Sequence, residues 1–74
     1  MKLTREMMAK LLGVAGSIYD KKITDELIDA YYSLLEKHDA EKVRNAFTRC
    51  FERNLDFPKP ATLLHIISPK ADLS

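Results

Sequence analysis

Three helix-start signals recur along the chain at Thr4, Thr24 and Asp39, each followed by acid in the next turn: Glu6, then Asp25 and Glu26, then Glu41. A side-chain oxygen at such a position accepts from a free backbone N–H, and the helix dipole favours an anion just inside. Pro60 marks a fourth start, because proline suits the first helical position, where its missing N–H has no partner in any case. Four starts in 74 residues leave room for little besides helix. Apolar spacing agrees. No segment alternates with period two and no repeat is visible, so the expected fold is an all-α bundle of about four helices.

The first helix runs from Thr4 to near Tyr19. Met7, Leu11, Val14, Ala15 and Ile18 recur at intervals of three and four, and Met8 and Leu12 widen the stripe. Gly13 and Gly16 weaken this helix by about 1 kcal/mol each relative to alanine, which suggests close approach by a neighbouring helix. The second helix begins at Thr24 and is expected to bury Leu27, Ile28, Tyr31, Leu34 and Leu35, with Tyr32 on its flank. Lys37-His38-Asp39 is a short connection, and it predicts that the second and third helices are antiparallel neighbours. The third helix carries Val43, Ala46, Phe47, Cys50 and Phe51 on one face and should fray near Asn54. Phe57-Pro58-Lys59-Pro60 is extended, since each proline disfavours the α region for the residue before it. A short last helix follows to Ile67, with Leu63, Leu64 and Ile67 inward and Ser68-Pro69 as its stop. The whole chain is expected to be one domain, ordered from about Thr4 to Ile67 and frayed over Lys70 to Ser74. Expected core members are Leu11, Val14, Ile18, Leu27, Tyr31, Leu34, Val43, Phe47, Cys50, Leu63 and Ile67.

Several function classes find no support. Cys50 is the one cysteine, so no disulfide framework and no cysteine cage exist. The two histidines, His38 and His65, have no acid or cysteine at metal-ligand spacing, and there is no phosphate loop or nucleophile elbow. The expectation is a protein without catalytic residues, cofactor or metal. No apolar run is long enough to cross a membrane, and the N-terminus lacks the apolar stretch of a signal peptide, which points to the cytoplasm.

Charge is unevenly placed although its sum is only +1. The second helix holds Asp25, Glu26, Asp29 and Glu36 and no base, whereas the third holds Lys42, Arg44, Arg49 and Arg53. Lys42, Arg49 and Arg53 fall within about 40° of one another. Two readings stand side by side: a contact stripe for an acidic partner or nucleic-acid phosphate, and a solvated face paired with acids of the second helix. A helix-turn-helix is disfavoured because the Lys37-His38-Asp39 turn suits a tight hairpin better. Exposed Tyr32 is a candidate interface anchor, as are Met7 and Met8, one of which lies off the core stripe.

The order of elements resembles a known family. A first amphipathic helix ends at Tyr19, and a Thr24-capped helix carries Tyr31-Tyr32-Ser33-Leu34-Leu35. An acidic-start helix opens Asp39-Ala40-Glu41, and Phe57-Pro58-Lys59-Pro60 enters a short final helix. This resembles the N-terminal domain of bacteriophage replicative-helicase loaders and inhibitors, and related small phage replisome proteins, over about Thr4 to Ile67. The resemblance implies a non-catalytic protein of the bacterial host cytoplasm that binds the replicative helicase or its loader, inhibiting the helicase or helping to deliver it. Family members usually carry a C-terminal extension that engages the helicase, whereas this sequence stops at Ser74; Lys59 stands where the family places a small residue between the prolines. The alternative is a small nucleic-acid-binding or transcription-regulating domain using Lys42, Arg49 and Arg53, although near-zero net charge limits DNA affinity to a weak level. A third reading is a structural module that oligomerises through Met7, Met8 and Tyr32. The surface expected to meet a protein partner comprises Arg49, Arg53, Lys42, Lys59, Tyr32, Met7 and Met8.

Overall fold

A computed structural model describes residues 1–53 and 56–68 and contains four helices: α1 (Arg5–Tyr19), α2 (Asp25–Leu35), α3 (Ala40–Glu52) and α4 (Pro60–Ile67). The chain is an all-α small bundle. Its starts are the anticipated ones. Thr4 Oγ1 accepts from the Met7 N–H at 3.2 Å, Thr24 Oγ1 from the Leu27 N–H at 3.1 Å, and the Asp39 carboxylate from the Glu41 N–H at 3.0 Å. Pro60 opens α4, and the Ser68 N–H closes it on the Leu64 carbonyl at 2.8 Å. The expected fraying at Asn54, the stop at Pro69 and the tail from Lys70 to Ser74 lie outside the described residues.

Helix α1 packs on α2 and α3 on α4, and the two pairs close through α1–α3 and α2–α4 contacts. Consecutive helices α2 and α3 are therefore diagonal in the bundle, not the antiparallel neighbours expected from their short connection. The residues before α1 fill that corner. The Ala40 N–H donates to the Met1 carbonyl at 2.7 Å, Lys2 pairs with Asp39 in antiparallel fashion, and Leu3 is 1% exposed. Leu3 was absent from the expected core because it precedes the helical spacing. With α3 not lying along α2, Leu34 is 50% exposed, contrary to expectation.

The larger correction concerns α1. Met8, Leu12, Ala15 and Gly16 are buried, whereas Val14 and Ile18, expected in the core, are 51% and 54% exposed. Leu11 is only partly buried, as are Leu27 and Ile67 in the other helices. The helix is turned by about one residue, or 100°, from the expected orientation. Gly16 supplies the reason. After Tyr19 the chain reverses through Asp20, whose φ of 55° is left-handed, and a Cβ on Gly16 would lie 2.7 Å from both the Lys21 carbonyl oxygen and the Ile23 side chain. Gly16 must face this returning loop, and the stripe beginning at Met8 is the one that lies on that side. The close approach anticipated for the glycines is thus real at Gly16, though a loop makes it, and Gly13 has nothing within 4 Å.

The other end of the core is aromatic. Tyr19 packs on Phe51 and Phe57, with ring centroids 6.2 and 5.8 Å apart, and Phe47 meets Phe51 at 6.2 Å. The Tyr31 hydroxyl donates to the Pro58 carbonyl at 2.6 Å and anchors the extended entry to α4. Burial raises the Tyr31 pKa, so the hydroxyl keeps its proton and its role as donor. Val43, Phe47, Cys50 and Leu63 occupy the core as expected.

Candidate docking surface

The turn of α1 leaves Met7, Leu11, Val14 and Ile18 on a face that no other helix covers fully. Their spacing of four, three and four places them within about 60° of one another along about 16 Å of helix. The lower half of this stripe opens into a groove of about 380 Å³ between α1 and the start of α3. Leu3, Met7, Leu11 and Ala40 make its apolar walls, with Met1 at one end. Lys10 stands on the α1 rim, and Arg44 and Glu41 on the α3 rim. The Arg44 guanidinium and Glu41 carboxylate are 3.8 Å apart and largely exposed, an arrangement worth little to stability. Single exposed apolar residues are ordinary on protein surfaces, but exposed Val14 and Ile18 continue in register from half-buried Met7 and Leu11, which line an apolar groove.

The anticipated partner-binding residues do not come together here. Met7 lines the groove, but Met8, one residue on, is fully buried and is removed from any docking surface. Lys42, Arg49 and Arg53 are exposed on α3, and among the described residues none has an ion pair. The acids of α2 therefore do not pair with this edge; Arg5 takes Asp29 at 2.5 Å and Asp25 at 3.9 Å instead. Bonding to Asp29 raises the Arg5 pKa against a smaller opposing effect of burial. Lys42 and Arg44 are two residues apart, so the basic edge lies about 160° around α3 from the groove rim. Tyr32 is half-buried and its hydroxyl donates to the Leu3 carbonyl at 3.4 Å, which gives it a structural task. Lys59 is exposed at the N-cap of α4 and its side chain makes no capping bond.

Leu11, Val14, Ile18, Lys10 and Arg44 were not anticipated as surface anchors. The available signal was the excess apolar content of α1, whose two adjacent stripes exceed what one helix face buries. The bundle spans 34 × 26 × 19 Å, so its thin direction holds about two helix layers, and a helix in one layer always has an outer side. Elsewhere, burial raises the Cys50 pKa, partly offset by the Arg53 charge, which keeps the thiol protonated and inert. Among the described residues no three His, Cys, Asp or Glu side chains converge as they would around a metal ion, and no helix is long and apolar enough to cross a membrane. Comparison with family models, curated proteins and solved structures finds no match to this chain.

Proposed function

We propose that this chain is a non-catalytic protein-binding domain that docks through the Met7, Leu11, Val14 and Ile18 face of α1. The in-register stripe, half-buried at Met7 and Leu11 and exposed at Val14 and Ile18, carries this reading, because apolar surface left to solvent gains free energy only when a partner covers it. The resemblance of its helix order and Phe57-Pro58-Lys59-Pro60 entry to phage helicase loaders and inhibitors supports the replicative helicase, or its loader, as that partner.

The test is binding of the full chain to a purified bacterial replicative helicase hexamer, followed by anisotropy of a dye on the chain. The paired substitution Val14→Asp and Ile18→Asp should abolish binding while the helical circular dichroism and its melt persist. Equal binding by this variant would remove the α1 face from the proposal. Nucleic-acid binding is the second reading, favoured by the exposure of Lys42, Arg49 and Arg53, which have no ion pair among the described residues. The hairpin argument against a helix-turn-helix does not apply to diagonal helices. Near-neutral net charge still opposes DNA binding, and duplex affinity that persists at physiological salt would reverse that judgement.

A further inference from the structure

We infer that the occupant of the α1–α3 groove is an amphipathic helix of another protein whose apolar stripe is flanked by carboxylates. The inference rests on the docking face proposed above and adds the chemistry of what it grips. The shape comes first. Residues at four, three and four spacing form the seam that a facing helix fills with its own side chains, and an open apolar groove between two helices is where such a ligand seats.

Charge then selects the partner. Both rims of the groove carry a cation, Lys10 on α1 and Arg44 on α3. Among the described residues the Arg44 guanidinium is held only by the loose, exposed contact to Glu41, which an incoming carboxylate can replace with a bidentate pair. A second copy of this chain fits less well. In an antiparallel pair Met7 would meet Ile18 and Leu11 would meet Val14, but Lys10 would then face Ser17 or the other Lys10. In a parallel pair Lys10 would face Ala15. Neither arrangement offers it an acid. The seam also spans about two heptads, short of the three or four that sustain a coiled coil by itself. An acid-flanked helix from elsewhere can offer a carboxylate to both rims, whereas a second copy leaves Lys10 without one.

The experiment uses two stapled helical peptides of about 15 residues, each with Leu or Ile at the matching spacing, one flanked by Glu and the other by Lys. Binding to the full chain is read from amide and methyl NMR shifts. The Glu-flanked peptide should perturb Met7, Leu11, Val14, Ile18 and Ala40, and should bind about tenfold tighter than the Lys-flanked one at low salt. Charge reversal of the rims, Lys10→Glu with Arg44→Glu, should invert that preference with the melt unchanged. Equal affinity of the two peptides, shifts confined to the Lys42, Arg49 and Arg53 edge, or no binding would each overturn the inference. Concentration-dependent dimerisation lost in the Val14→Asp, Ile18→Asp variant would also overturn it, by making a second copy the occupant. Peptide preference without helicase binding would keep this chemistry and remove the helicase. Helicase binding that needs Val14 and Ile18, without peptide preference, would do the reverse.

Discussion

One face of α1 carries Met8, Leu12, Ala15 and Tyr19; the next, about 100° around, carries Met7, Leu11, Val14 and Ile18. The two have the same spacing, and the second is the more apolar, with Val14 and Ile18 where the first has Ala15 and Tyr19. Met8, Leu12 and Ala15 nonetheless have no exposed surface, while Val14 and Ile18 keep more than half of theirs. Apolar content alone therefore does not say which stripe is core. A single glycine beside the less apolar stripe decides the orientation, because it lets the loop after the helix cross where any side chain would collide. The same residue class, used twice on one helix, serves folding on one side and leaves a partly exposed apolar face on the other.

Substitutions can break this contrast in order of expected size. Truncation of Phe47 to Ala, on the buried side of the bundle, should cost about 3 to 5 kcal/mol in urea melts, most of the stability of so small a domain. Leu12→Ala should cost about 2 to 5 kcal/mol, whereas Leu11→Ala, half-buried on the other stripe, should cost clearly less in the same measurement. Equal losses would mean that α1 sits between the two orientations. Next is Tyr31→Phe, which removes the donor to the Pro58 carbonyl. It should lower stability by about 1 to 3 kcal/mol and loosen the entry to α4, seen as faster hydrogen exchange in that helix.

The glycines sharpen the comparison through opposite signs. Gly16→Ala should destabilise despite the better helix propensity, since its Cβ meets a backbone carbonyl at 2.7 Å. Gly13→Ala, with open space around it, should stabilise by up to about 1 kcal/mol. Thermal melts of the two variants would decide it, and a stabilising Gly16→Ala would undo the explanation of how α1 is turned.

The smallest effect belongs to the α2–α3 corner. A hydrogen bond from the N-terminal ammonium holds the Asp39 carboxyl below its ordinary value; burial opposes it, and the ammonium charge and the backbone N–H groups of Glu41 and Lys42 add lesser effects in the lowering direction. The folded pKa is lowered, so this contribution is present above the usual carboxylate range and is lost as pH falls through the lowered value. Asp39→Asn should lower the melting temperature slightly near neutrality, where the contribution is present, and the difference from the parent should vanish as pH falls below about pH 4, which flattens the acid limb of the profile.

The helices themselves were legible residue by residue. Thr4, Thr24, Asp39 and Pro60 announced each start, because capping involves a side chain and a backbone group only two or three positions apart. The face of α3 was legible too, since Val43, Phe47 and Cys50 oppose charged residues on every other side. The candidate site was much less so. Met7 was anticipated, but Lys10, Leu11, Val14, Ile18 and Arg44 were assigned to other roles or to none. Their exposure depends on how α1 is turned, and their convergence depends on α1 and α3 meeting beside Leu3.

By itself, then, the sequence determined four helices, their starts and the extended Lys59 at the entry to α4, all through interactions between near neighbours in the chain. Only the tertiary structure decided that α2 and α3 are diagonal, that Leu3 closes their corner, and which stripe of α1 meets solvent. Those outcomes depend on contacts between residues far apart in sequence, such as the Met1 carbonyl with the Ala40 N–H and the Tyr31 hydroxyl with the Pro58 carbonyl. Helical periodicity is blind to such contacts: it records that a face is apolar and carries no information about what will lie against it.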